Sequence, residues 1–203
     1  QDHKMSGDEA IVLFSGGKDS SLTAHLLQNA GFDVTCTTVS FGITDAWREA
    51  EHAAATLGFA HRHIELDRKL LDHACERIVA DGRPREGLRQ LHLAVVETLA
   101  PNTAIIADGT RRDDITPKLT PAEMRSLEDR YDTEYLAPLI GMGHRTVRRL
   151  ADRLFQYEEG TSLLIGDYER EVRARLTELG HDPSTLFPVH VQSKIIGWRS
   201  NNG

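Results

Sequence analysis

The sequence predicts an α/β protein built on an open, doubly wound, mostly parallel sheet with helices on both faces. Three observations carry this. Residues 10–14 (AIVLF) and 103–107 (TAIIA) are uninterrupted apolar runs of strand length, as expected of strands covered on both sides. Segments with apolar residues three and four apart alternate with β-rich segments. Glycines stand where one periodicity gives way to the other.

Taken in order, the first strand ends at Ser15-Gly16-Gly17. A helix follows over 20–30, with Leu22, Leu26 and Leu27 on one stripe and Gly31 as its stop. Residues 32–41 (Val34, Thr35, Thr37, Thr38, Val39) predict a second strand. Trp47, Ala50, Ala54 and Leu57 mark a helix over 45–57, closed by Gly58. Residues 61–66 predict a third strand, 70–80 a helix, 81–87 (DGRPREG) a polar loop, and 88–99 another helix. After the strand at 103–107, Thr120-Pro121-Ala122-Glu123 is a helix start with a hydroxyl cap, Pro at N1 and Glu at N3. Residues 135–140 predict a last strand, and 146–155 and 167–179 helices; the tail from His181 reads as irregular or short strand, with Gln192, Ser193, Lys194 and Trp198 open to closing over the site or docking a second subunit. The expected organisation is a tag remnant at 1–4, a main domain over 5–159 and a small helical appendage with a tail over 160–203.

The 203 residues, 39% apolar and 27% charged, suit one domain with a real core. No apolar run approaches the roughly 20 residues needed to cross a bilayer, and mean hydropathy is −0.40; the expected location is the cytoplasm. Net charge is −7, and both halves of the chain are acidic. That excludes a broadly basic nucleic-acid-binding domain, though not a local patch.

In a sheet of this type, ligands bind beyond the carboxyl ends of the strands. The turn Ser15-Gly16-Gly17-Lys18-Asp19-Ser20-Ser21 is therefore the leading candidate site. Glycines admit a ligand close to the backbone, and the following helix presents amides and a positive dipole to an anion. A Walker A loop is excluded because Asp19 follows Gly17-Lys18 and Val12 stands where the earlier glycine belongs. The dinucleotide fingerprint fails too, since the two glycines are adjacent.

At these residues the sequence resembles the PP-loop ATP pyrophosphatases, with their Ser-Gly-Gly-x-Asp-Ser motif. Thr38-Val39-Ser40-Phe41-Gly42, residues 53–66, and Asp108-Gly109-Thr110-Arg111-Arg112-Asp113-Asp114 agree in order, over roughly residues 8–155. Within the superfamily it is similar to small archaeal stand-alone proteins described as subunits of a tRNA 2-thiouridine-forming enzyme. The resemblance implies an adenine nucleotide alpha-hydrolase-like fold. It also implies cleavage of ATP between the α and β phosphates, adenylation of a substrate carbonyl oxygen, release of pyrophosphate, and displacement of AMP by sulfur or nitrogen. Ser15, Gly16, Gly17, Asp19, Ser20 and Ser21 would cradle the pyrophosphate, and Val39 and Ser40 would meet the adenine. Asp108, Gly109 and Thr110 complete the nucleotide site. Mg²⁺ is expected on Asp19, Asp113 and Asp114, with Asp108 a further carboxylate candidate. Lys18, Asp19, Arg111 and Arg112 would act on developing charge. The leading use is tRNA base thiolation; the alternatives are an amide-forming ligase on a small molecule and a nucleotide-binding regulatory subunit. Expected partners are ATP, tRNA and a sulfur- or ammonia-donating protein, with a homo-oligomer as the assembly.

Two cysteines, Cys36 and Cys75, cannot build a three-cysteine cluster in one chain, and both are read as core residues. Sulfur must then come from outside. His61 and His63 share a strand face without completing a metal set, and His92 and His144 are placed near strand ends by fold position. Residues 144–153 (HRTVRRLADR) carry four arginines, open to RNA phosphates or to solvent. Residues 168–175 read as a wet helix face with Glu169–Arg173 and Glu171–Arg175 pairs.

Overall fold

The computed structural model describes residues 9–115, 118–163 and 165–200; the tag-like residues 1–4 lie outside them. Five parallel strands form the central sheet: β1 (Glu9–Leu13), β2 (Asp33–Ser40), β3 (Ala60–Glu65), β4 (Ile105–Ala107) and β5 (Glu134–Leu136). Their order is β3-β2-β1-β4-β5. The chain winds outward from β1 in one direction, then returns to pair β4 on its other side. The point between β1 and β4 is therefore the topological switch where a crevice opens.

The helices are α1 (Lys18–Asn29), α2 (Trp47–Leu57), α3 (Arg68–Asp81), α4 (Pro84–Leu99), α5 (Pro121–Tyr131), α6 (His144–Leu154) and α7 (Tyr168–Glu178). They fall on opposite faces because successive strand residues point to opposite sides. Ile11 and Ile106 join a core with Leu71 and Ile78 of α3, Val95 of α4, Leu127 of α5 and Val172 of α7. Val12 and Ala107 join the other core, with Leu22 of α1, Ala50 of α2 and Val147 of α6. A fully buried aliphatic side chain contributes about 1.5–3 kcal/mol, so two-faced burial of β1 makes it the centre of the molecule.

Some boundaries differ from the sequence reading. The loop expected over 81–87 is shorter, because Pro84 opens α4 at a position where its missing N–H costs nothing. The strand expected over 135–140 keeps only Glu134–Leu136 before the chain turns. Phe155 does not extend α6; it begins β6 (Phe155–Gly160), which pairs antiparallel with β7 (Gln192–Trp198) from the tail. The start at Thr120 forms as expected, with Thr120 and Glu123 capping each other's amides. Among the described residues, no helix is long and apolar enough to cross a membrane.

Candidate functional site

A cleft of about 290 Å³ opens at the carboxyl ends of β1, β2 and β4. Its floor is the turn after β1. Gly16 sits at φ +85°, a conformation that side-chain-bearing residues rarely adopt, and a Cβ there would stand 3.2 Å from Ala50 Cα. Within the turn, the Gly17 amide donates to Ser15 Oγ (3.3 Å), and Ser20 Oγ accepts from the Ser15 amide (3.3 Å). Two carbonyls of the turn are held from the C-terminal part of the chain. Ser15 O accepts from the Gly166 amide (2.9 Å) and Gly16 O from the Ile195 amide (3.0 Å). The Lys18 amide donates to Ser193 Oγ at 3.0 Å. The first turn of α1 thus opens onto the cleft with its carbonyl neighbours already fixed.

The loop after β4 supplies the second wall. Gly109 lies flat on α1: a Cβ would be 2.9 Å from the Asp19 carbonyl carbon and from the Ser20 amide nitrogen. Arg111 bridges two carboxylates, with Nε 3.4 Å from Asp19 Oδ2 and Nη2 2.8 Å from Asp114 Oδ1. Lys18 Nζ lies 3.5 Å from Asp19 Oδ1, which is buried and makes no hydrogen bond. Burial raises the Asp19 carboxyl above its usual range, opposed by the charges of Lys18 and Arg111.

Behind this wall sits a buried polar cluster. Asp108 accepts from the Tyr135 hydroxyl, the Thr110 amide (3.0 Å) and Thr110 Oγ1 (2.9 Å). His92 Nε2 stands 3.2 Å from Asp108 Oδ2 and 2.8 Å from the Tyr135 hydroxyl. Burial alone would raise the Asp108 carboxyl; the bond and charge of His92, with Tyr135 and Thr110, hold it below the usual range. Opposite, Asp167 caps α7 through the Arg170 amide (2.9 Å), and burial pushes its carboxyl up to about 6.

Among the sequence-predicted residues, Ser15, Asp19, Ser20, Val39, Asp108, Gly109, Thr110 and Asp114 line one cleft. Gly16 and Gly17 shape its floor, and Lys18 and Arg111 pair with Asp19. Others point elsewhere. Ser21 is fully buried, with no hydrogen bond at Oγ. Ser40 Oγ bonds His63 Nε2 at 2.6 Å, off the cleft. Arg112 is largely exposed and pairs with Asp113 (3.6 Å), which also accepts from the amide and ring of His144. Asp19, Asp113 and Asp114 therefore do not converge: His144 holds Asp113, and Arg111 stands between the other two. Among the described residues, no three His, Cys, Asp or Glu side chains are grouped as a metal site. Asp108 is saturated by its own partners. Asp19 lines the cleft, but its unbonded Oδ1 is buried beside the Lys18 ammonium.

The cysteines are both buried and free. Burial pushes the Cys36 thiol up to about 12 and the Cys75 thiol to about 11. On α7, Glu169 pairs with Arg173 at 2.7 Å, but Glu171 does not pair with Arg175. It is buried, and accepts from the amides of Phe41 (2.6 Å), Ile43 (3.3 Å) and Thr44 (3.0 Å), so it fixes the loop after β2. Arg175 instead reaches Asp72 (2.7 Å) on α3. Sequence reasoning missed Asp167, Tyr168, Glu169 and His190 in the cleft wall, while Ser193, from the tail left open between the site and a second subunit, lies beneath the turn. Their only local signal was the Asp167 cap.

A model described as a family of unknown function, DUF7411, matches residues 8–197. The chain belongs to that family. An uncharacterized protein of Methanocaldococcus jannaschii is 44% identical over 189 residues, covering 92% of this chain and 94% of its own length. The fold is similar, at TM-score 0.89 and 42% identity, to the crystal structure of a predicted subunit of tRNA methyltransferase from Methanocaldococcus jannaschii, over 95% of this chain and 98% of that one. It also matches the U34-tRNA thiolase NcsA of Methanococcus maripaludis, solved with its 4Fe-4S cluster, at TM-score 0.46 and 19% identity, over 75% of this chain and 59% of that one.

Proposed function

We propose that this protein is an ATP pyrophosphatase that adenylates a carbonyl oxygen, with a tRNA base as the leading substrate. The observation that carries the reading is the Ser15–Gly16–Gly17 turn at the sheet's switch point, opening the first turn of α1 onto a cleft. In this reading the Ser15 and Ser20 hydroxyls hold the pyrophosphate part of ATP, with the Gly17 amide exchanging its bond to Ser15 for a phosphate oxygen while the Lys18 amide stays on Ser193. Leu13, Val39 and Leu88 provide apolar walls for the adenine. Arg111 is partly buried and already shared between two carboxylates, so it is placed to meet charge that develops as the α–β bond breaks. Lys18 acts beside it. Mg²⁺, held by phosphate oxygens, would neutralise the phosphates. The protein's part is positioning and electrostatic stabilisation rather than covalent chemistry.

The similar Methanocaldococcus jannaschii structure supports tRNA as the substrate and the presence of a further subunit. Its description as a subunit also favours a second reading, a nucleotide-binding regulatory chain without turnover of its own. Attack on the adenylate by sulfur rather than nitrogen follows from the family resemblance, with both thiols buried and the sulfur supplied by a partner.

Incubation of the protein with MgATP, tRNA and sulfide as the nucleophile is expected to release AMP and pyrophosphate in equal amounts. ADP and phosphate would overturn the reading. ATP binding without turnover, with or without partner proteins, would favour the regulatory one.

A further inference from the structure

The face formed by α6 and the β6–β7 ribbon carries charge that the cleft chemistry does not use. Arg145, Arg149 and Arg153 recur at every fourth residue of α6, so they lie in one row down the helix, about 6 Å apart at 1.5 Å per residue. All three are exposed, and none pairs with a carboxylate among the described residues. Arg148, on the neighbouring row, is tied to Glu159 at 2.7 Å. Arg62, Arg125 and Arg170 also lack a side-chain carboxylate partner but stand singly, and Arg83 and Arg85 form only a pair at the start of α4. The row on α6 continues at its end: the Arg199 amide donates to Leu154 O (2.8 Å), which sets a fourth exposed, unpaired arginine there.

The two ends of the row are distinct. At the start of α6, His144 bonds Asp113, in the same loop as the cleft residues Thr110 and Asp114. At the far end lies an open, largely polar groove of about 410 Å³, lined by Asp152, Tyr157, Glu159, Ile196 and Arg199, with Phe155 buried beneath it. The groove's acids are engaged: Asp152 accepts from the Tyr157 hydroxyl and Glu159 from Arg148.

We propose that this face docks RNA, with phosphates along Arg145, Arg149, Arg153 and Arg199 and an unstacked base against the Tyr157 groove. A chain of net charge −7 repels polyanions over most of its surface, so an uncompensated row of arginines focuses them. Evenly spaced guanidinium groups fit a regularly charged strand, and the half-buried Tyr157 ring beside them suits a base. The orientation of that strand toward the cleft rests on the tRNA reading above; the docking itself does not.

The test is equilibrium binding of labelled tRNA without ATP, as a function of salt. Four phosphate contacts predict a log–log salt slope of about −3, which weakens binding about 60-fold between 50 and 200 mM salt. The triple variant Arg145→Gln/Arg149→Gln/Arg153→Gln is expected to retain its thermal midpoint, lose more than tenfold in affinity at 50 mM salt, and fall to a slope of about −1. Arg130→Gln, which removes a paired arginine on α5, should change neither. Equal affinity and slope in the triple variant would overturn the proposal, as would failure of the intact protein to bind tRNA at 50 mM salt. The latter would point to an acidic protein on this face. Because no nucleotide is present, failure of ATP cleavage and failure of docking are separately visible.

Discussion

The cleft is defined by residues whose identity is constrained by what presses on them. Gly109 has no room for a Cβ, since backbone of α1 occupies the space at 2.9 Å. Gly109→Ala must push the loop or the helix start outward, so it is expected to lose about 1–3 kcal/mol of stability in urea unfolding, with ATP binding reduced. A neutral effect on both would show that α1 and the loop move freely past one another. Asp167 offers a test with a definite sign. Its carboxyl titrates near 6 when folded against 3.8 for the ordinary group, so the folded state binds the proton more tightly. Its contribution is therefore fully present below pH 3.8 and is lost as pH rises through about 6. The cost above that pH is up to about 3 kcal/mol. Asp167→Asn keeps a cap acceptor and removes the charge. The variant should gain stability relative to the parent between pH 4 and 7 and hold a constant advantage above. A pH-independent difference in paired denaturation series would refute the assignment.

At the scale of elements, the site is two pieces of chain far apart in sequence. The β1–α1 piece was legible because its signals are local: an apolar run, adjacent glycines, then a helical stripe. The same holds for the start at Thr120, where cap, proline and glutamate fall within four residues. The C-terminal piece was legible only in part, as a helix over 167–179 and a tail of short strand whose place was left open. Phe155 continues the apolar stripe of α6 and reads as helix, and only its pairing with Trp198 makes it strand. Such pairing has no local signature. Likewise Glu171 looks like half of an i,i+4 pair with Arg175, yet burial directs it to three amides after β2. The clearest consequence is at Ser193, which reaches from β7 to the Lys18 amide. Ser193→Ala is expected to cost about 1 kcal/mol in stability but to weaken ATP binding at least several-fold, because the turn loses its support from below. Ser193→Thr should restore binding. If Ser193→Ala binds ATP like the parent, β7 only covers the turn.

At the scale of the whole molecule, burial on both faces of one sheet bears on the sulfur source that the proposed thiolation would use. Cys36 lies within β2, in the core shared with α1 and α2, and Cys75 lies in the opposite core; neither is exposed. Their thiols are held at about 12 and 11, so the thiolate needed for sulfur transfer is scarce at neutral pH. A persulfide on either would also have to be formed and handed over inside a packed core, which requires the sheet to open. Both thiols are therefore expected to resist a thiol-reactive dye at pH 8 in the native protein and to react together on unfolding. Their labelling rate should rise with urea as stability falls, rather than track thiol ionisation. Replacing them by Cys36→Val and Cys75→Ala should leave ATP cleavage intact. Rapid labelling of one thiol in the native state, or loss of AMP release in a folded Cys75→Ala variant, would return that cysteine to the chemistry and remove the need for an external sulfur donor.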